Sequence, residues 1–263
     1  MDTVLTVDVG NTTTRFGLFA VEGGDEAPEL LGSCELTTQQ PLTFDEARIQ
    51  IAHALSLMPD RAPTGSILSC VVPALQDTWR RALGVDGRAR PLVVGPGLKS
   101  GVRMNYDDPS EIGPDRVADV VAARAAYGAP AIVIDLGTTT NFEAIDEGGA
   151  FVGGIIAPGV ALGARSLTQA AARLPMIELR APKRVVGRNT RSAMQSGVVL
   201  GEVARIDGLL DAMIAELGLS DETALVITGD GAETIAALLR HRTVVDDTLT
   251  LRGLALLWVA NRR

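Results

Sequence analysis

Two short stretches of the chain have residue types and spacing suited to holding phosphate groups. They are Asp8-Val9-Gly10-Asn11-Thr12-Thr13 and Asp135-Leu136-Gly137-Thr138-Thr139-Thr140. In each, an apolar run ends in Asp-x-Gly and then in a hydroxyl-rich turn. The glycine lets the chain bend and approach a ligand closely. Asn11, Thr12 and Thr13 then offer backbone N–H groups and short polar side chains to phosphate oxygens. A carboxylate repels phosphate, so Asp8 makes sense beside it only through a bridging cation. Asp135, with Thr138 and Thr139, supplies a second corner of the same kind. One copy alone reads equally well as an Asx turn after a strand. Two copies opening two matching units argue against that.

A transfer of phosphate also needs a group that orients the acceptor hydroxyl and takes its proton. Asp115 is the candidate, at a loop-to-helix junction after Gly113-Pro114 and next to Arg116. Arg116 would steer an anionic acceptor or screen the phosphates. The bland alternative stays open: Asp115 caps a helix and Arg116 makes a surface ion pair. Gly229-Asp230-Gly231 is either a plain strand-to-helix turn or a third corner, against base and ribose. No G-x-x-x-x-G-K-[ST] and no strand-linked G-x-G-x-x-G occurs, which sets aside the P-loop and dinucleotide folds. His53 and His241 read as structural or surface residues, and no His/Cys metal cluster is possible.

The elements that must position these residues follow from periodicity. The first half reads as strands over 4–9, 15–20 and 30–37, with a loop over 21–29 between the last two. A helix over 44–57, a strand over 66–71, a helix over 74–83 and a short strand over 91–94 complete it. Residues 97–112 read as a loop, and 116–127 as a helix. The second half opens with strands over 131–136 and 141–145, a turn and a third strand over 148–156, and a helix over 159–172. A long helical stretch over 192–217, interrupted near Gly197 or Gly201, follows. A strand over 223–228, a helix over 231–241, a short strand over 244–246 and a terminal helix over 251–260 end the chain. This predicts an α/β protein of two related subdomains with mixed sheets around a nucleotide cleft, residues 1–115 and 116–263, with the 116–127 helix at their junction.

The 263 residues include 46% hydrophobic and 3% aromatic residues, so Ala, Val, Leu and Ile must fill the core. The formal charge is −8 with scattered basic residues, which disfavours a nucleic-acid surface. The start shows no signal-peptide pattern, and no apolar stretch approaches a membrane span. Cys34 and Cys70 read as reduced residues, which points to the cytoplasm.

With these residues in hand, the chain resembles the type III pantothenate kinases, within the larger actin-like, sugar-kinase and Hsp70-type ATPase fold (ribonuclease H-like). The resemblance runs through Asp8-Val9-Gly10-Asn11-Thr12, Tyr106 with Pro109, Gly113-Pro114-Asp115-Arg116 and Asp135-Leu136-Gly137-Thr138. It continues through Gly153 to Gly159, Gly187-Arg188-Asn189-Thr190, Ser192 to Gly197 and Leu249 to Leu254. It implies phosphorylation of pantothenate by ATP, the first step of coenzyme A synthesis. By the same resemblance Asp8, Val9, Gly10, Asn11, Thr12, Thr13, Thr14 and Arg15 bind the ATP phosphates, and Asp8 the catalytic Mg2+. Thr138 contacts ATP, and Asp135 holds a monovalent cation, K+ or NH4+. Tyr106, Gly113, Pro114, Asp115, Arg116 and Thr190 form the pantothenate site, with Asp115 as general base. A homodimer is implied as well. A catalytically weak relative acting as a regulatory or interaction protein is the alternative. Two positions depart from the family: Thr139 stands where Ala is usual, with Asn141 extending the polar run. Asp230 stands where the adenosine-side turn usually has Gly.

Overall fold

A computed structural model describes residues 2–22, 27–85, 90–220 and 222–262. In chain order the strands are β1 (Asp2–Val9), β2 (Thr13–Val21), β3 (Glu29–Thr37), β4 (Gly65–Cys70), β5 (Leu92–Val93), β6 (Ala131–Leu136), β7 (Thr139–Ile145), β8 (Phe151–Pro158), β9 (Ala224–Gly229) and β10 (Val244–Val245). The helices are α1 (Phe44–Ser56), α2 (Pro73–Leu83), α3 (Pro114–Tyr127), α4 (Val160–Ala170), α5 (Thr190–Gln195), α6 (Gly201–Leu217), α7 (Ala232–Ala236) and α8 (Leu249–Asn261). Part of the expected 21–29 loop, residues 23–26, lies outside the described residues.

The chain divides into two compact units, Met1–Ala126 with Thr248–Arg263, and Tyr127–Asp247. The expected boundary after residue 115 would have given α3 and α8 to the second unit. Both belong with the first instead, because their apolar faces pack on its sheet: Ala118 and Val121 of α3 and Leu251, Leu254 and Ala255 of α8 join Val4 and Ile67 in one core cluster. Gly253 of α8 touches α3 so closely that a Cβ there would run into the Ala118 carbonyl.

The first unit's sheet has the order β3-β2-β1-β4-β5, with β1–β2 and β2–β3 antiparallel and β1–β4 and β4–β5 parallel. Strand periodicity decides which way its functional side chain points. Leu5, Val7 and Val9 of β1 face α1 and α2, in a cluster with Ile51, Leu75 and Trp79. Val4, and therefore Asp8, belongs to the opposite face, the one covered by α3 and α8. Thr43 opens α1 with a capping box to Glu46, and Pro73 sits in the first turn of α2, where its missing N–H costs nothing.

The second unit repeats the plan, with order β8-β7-β6-β9-β10. Ile132, Ile134 and Leu136 pack with Ile206 and Leu210 of α6; Asp135 points to the other face. The expected interruption of the 192–217 helix is a π-helical segment over Ser196–Leu200 that joins α5 to α6. The helix expected over 231–241 is shorter. Arg240 N–H and His241 N–H donate to the Asp207 carboxylate at 3.1–3.4 Å, so that side chain takes donors a continuing helix would use. No helix is long and apolar enough to cross a membrane among the described residues.

Candidate active site

In the first unit, β1 carries Asp8 between two neighbours set by register: Arg15 on β2 and Ser69 on β4. Directly paired residues project to the same face of a sheet. Asp8 Oδ1 is sealed from solvent with no hydrogen-bond partner among the described residues. Burial, then the negative charge of Asp115, push the Asp8 carboxyl up to about 6, while Ser69 and Arg15 pull it back. Asp115 stands in the first turn of α3, the helix on Asp8's face of the sheet. Burial raises its carboxyl too, opposed by the Arg116 N–H, which donates to Asp115 Oδ1 at 2.8 Å, and by the Arg116 charge. Gly113 leaves the room that carboxylate needs, since a Cβ there would press on Asp115 Oδ1. Arg116 is 5% exposed, and its guanidinium lies 6.0 Å from the Tyr106 ring centre. It is therefore not the surface ion pair of the bland alternative.

The turn after β1 is open. Asn11 and Thr12 are exposed. Gly10 N–H donates to the Thr13 carbonyl at 3.0 Å, and the Thr38 hydroxyl reaches the Gly10 carbonyl at 2.8 Å. Thr14 is buried with its hydroxyl 2.9 Å from that of Thr38, so it braces the turn from below. Val9 faces the core and has only backbone to offer a ligand.

In the second unit, Asp135 lies between Asn141 on β7 and Thr228 on β9. The turn is packed from two sides. Gly159 N–H donates to the Thr138 carbonyl at 3.1 Å, and Asp230 N–H to the Leu136 carbonyl at 2.6 Å. A Cβ on Gly159 would overlap the Gly137 carbonyl, and one on Gly229 the Leu136 carbonyl. Gly229 also has φ +88°, a conformation open to glycine. Thr140 donates to Glu202 at 2.7 Å, and Glu202 in turn pairs with Arg205. A pocket of about 220 Å³ opens beside this turn, lined by Gly137, Thr140, Val160, Val199, Asp230 and Ile235 among others. Thr190 is exposed at the start of α5, behind the capping side chain of Asn189.

A family model described as type III pantothenate kinase matches residues 4–212. The chain belongs to that family. The type III pantothenate kinase of Roseiflexus sp. (strain RS-1) is 39% identical over 261 residues, covering 98% of this chain and 99% of that protein. That of Acidobacterium capsulatum is 36% identical over 261 residues, covering 98% and 95%. Among solved structures, an ethanolamine utilization protein, EutJ, from Carboxydothermus hydrogenoformans superposes with TM-score 0.56 at 15% identity, over 98% of this chain and 90% of that one. That likeness bears on the fold, and the fold is the duplicated α/β architecture of actin-like ATPases and sugar kinases.

As a type III pantothenate kinase, the chain has donors that suit a divalent cation in its first unit. A buried carboxylate oxygen lacks a partner, and a second carboxylate stands close enough to raise its pKa. Positive charge supplied from outside would relieve both. Three contributors carry no sequence motif. Ser69 shows only as a polar residue inside a strand that is buried throughout, Glu202 as an acid in a helix, and Thr38 not at all.

Proposed function

We propose that this chain transfers the γ-phosphoryl group of ATP to the primary hydroxyl of pantothenate, giving 4′-phosphopantothenate and ADP, the first step of coenzyme A synthesis. The observation that carries the reading is the Asp8–Asp115 pair in the first unit. The hydroxyl oxygen attacks the γ-phosphorus. The bond from that phosphorus to the β,γ-bridging oxygen breaks, and its electrons leave with ADP. The hydroxyl proton passes to Asp115. Burial lifts this carboxyl above an ordinary aspartate, so it accepts the proton more readily. Asp8 holds Mg2+, which supplies charge neutralisation at the phosphates.

The N–H groups of the Gly10–Thr13 turn cradle phosphate oxygens, with Arg15 beside them. Arg116, fixed over Tyr106, answers the pantothenate carboxylate or a transition-state oxygen, and Tyr106 its apolar body. Gly113 and Pro114 complete the acceptor site in the first unit. Asp135 holds a monovalent cation, K+ or NH4+. The protein works in the cytoplasm as a homodimer. Support for the dimer comes from Met176 and Leu179, exposed apolar residues that line an open groove of about 380 Å³ with Ala161 and Ala164.

A coupled ADP-release assay tests the reading. ADP should appear only with pantothenate and Mg2+ present, and faster in K+ than in Na+. A folded protein that releases no pantothenate-dependent ADP at millimolar ATP sinks it. A second reading, a catalytically weak relative with a regulatory role, draws on Asp230, which adds a carboxylate to the lining of the 220 Å³ pocket.

A further inference from the structure

The Asp135 row contains a polar atom that no described part of the protein satisfies. Asn141 is 7% exposed, and its side-chain oxygen Oδ1 is buried with no hydrogen-bond partner. Buried polar atoms in native proteins almost always have one. The register sets its surroundings. Asn141 on β7, Asp135 on β6 and Thr228 on β9 stand side by side across three hydrogen-bonded strands, all on the face away from the α6 core. Directly paired side chains stand roughly 5 Å apart at Cβ. A carboxylate, an amide oxygen and a hydroxyl therefore line one strip of the sheet.

The corresponding strip of the first unit reads Arg15, Asp8, Ser69. There the β2 residue brings its own positive charge. In the second unit the equivalent residue is neutral and presents an oxygen.

We infer that Asn141 Oδ1 is a direct ligand of a monovalent cation held at Asp135. This deepens the functional reading above and rests on its assignment of a cation to Asp135. One carboxylate with neutral oxygens gives a total ligand charge of −1, which suits K+ or NH4+ better than a divalent ion. The departure at Asn141 is then a ligand choice, and the side chain has a role beyond filling space beside the turn.

The test is cation-dependent stability of the full-length protein without nucleotide. KCl is titrated against choline chloride at constant ionic strength and the melting temperature is read. Wild type should show a saturable rise with K+. Asn141→Ala should lose most of that rise, and Asn141→Asp, which adds a charged oxygen at the same place, should reach half-saturation at lower K+. Tl+ soaked into crystals should give an anomalous peak in contact with Asn141 Oδ1. If Asn141→Ala keeps the wild-type K+ response while Asp135→Asn loses it, the inference is overturned and the Asp135 assignment survives. If wild type shows no K+ response and no Tl+ peak, both fall and the orphan oxygen is satisfied by water. Should Asn141→Ala not fold, Asn141→Asp decides alone: a half-saturation unchanged or weakened overturns the inference.

Discussion

The two Asp-x-Gly turns begin from the same sequence pattern and end as different devices. In the first, Asp8 pairs with Arg15 across the hairpin; in the second, Asp135 pairs with Asn141, one residue closer along the chain. The glycine N–H accordingly closes on Thr13 in one turn and on Thr139 in the other. The longer turn is exposed and braced from beneath by Thr38. The shorter one is wedged between Gly159 and the Gly229-Asp230 corner. Their charges differ as well. Asp8 has an arginine beside it and a second carboxylate facing it, whereas Asp135 has an amide and a hydroxyl. An open turn amid strong charges suits phosphate and a divalent ion that come and go with each turnover. A closed turn with an amide and a hydroxyl on the strands flanking Asp135 suits a cation that stays. Duplication supplied the geometry, and the neighbours on the flanking strands set the chemistry.

The largest break in this comparison comes from neutralising the carboxylate that faces only the first turn. Asp115→Asn keeps size and helix position, so the protein should melt near wild type. Turnover should fall by about 10²–10⁴, the usual worth of a general base. The same change removes a charge that raises Asp8, so the Asp8 carboxyl should titrate lower and Mg2+ should bind at lower pH than in wild type. Activity within a few-fold of wild type would show that Asp115 is not the proton acceptor.

Packing gives the next effect. Gly159→Ala drives a methyl into the Gly137 carbonyl, and the rigid backbone around that turn leaves it little room to move. A loss of about 3 kcal/mol in unfolding free energy is expected. Gly10→Ala meets the Thr13 carbonyl at 2.9 Å in an exposed turn that can shift, and should cost under about 1 kcal/mol. Denaturant titrations of both variants measure the contrast. Equal losses would mean that the second turn is no more confined than the first.

How much of this was legible in the sequence follows from what each residue does. The strands and most helices show through because their apolar periods are regular. Asp8, Asp135 and Asp115 show through because each follows or precedes glycine at a chain reversal. Contacts made across the sheet do not show. Nothing local marks Ser69 as Asp8's neighbour or Thr228 as Asp135's, since parallel register is set by distant packing. The end of α7 hides for a similar reason, because Asp207, on another helix, takes the N–H groups that would have continued it. The placement of α3 and α8 with the first unit rests on small-residue contact between Gly253 and Ala118, which composition cannot show.

The Asp8 charge also gives a stability effect of opposite sign to its functional one. Its carboxyl rises from the ordinary value of 3.8 to about 6 in the folded protein. Between those values the native state holds more protons than the unfolded one, so stability falls as pH rises through that window. Above it the full penalty, about 3 kcal/mol, persists. Asp8→Asn removes the penalty. In EDTA at pH 8 the variant should be more stable than wild type by about that amount, with the gap closing toward pH 4. Mg2+ should stabilise wild type and not the variant. Melts across that pH range measure it, and a variant less stable than wild type at pH 8 would show that Asp8 is a structural anchor.

The smallest expected effect lies at the corner that wedges the second turn. Asp230 lines the 220 Å³ pocket, while its backbone N–H holds the Leu136 carbonyl at 2.6 Å. Removing the side chain therefore tests its charge without touching that hydrogen bond. If the nucleoside end of ATP enters this pocket, the carboxylate repels the phosphates that follow it. At a partly hydrated site such repulsion amounts to about 1 kcal/mol. The apparent KM for ATP should then drop by roughly fivefold in Asp230→Asn, with kcat little changed. Asp230→Gly should show the same gain less a small loss, because three consecutive glycines leave the corner more freedom to lose on folding. An ATP KM unchanged in both variants would mean that the carboxylate points away from the nucleotide. The second turn would then owe this corner only its backbone wedge.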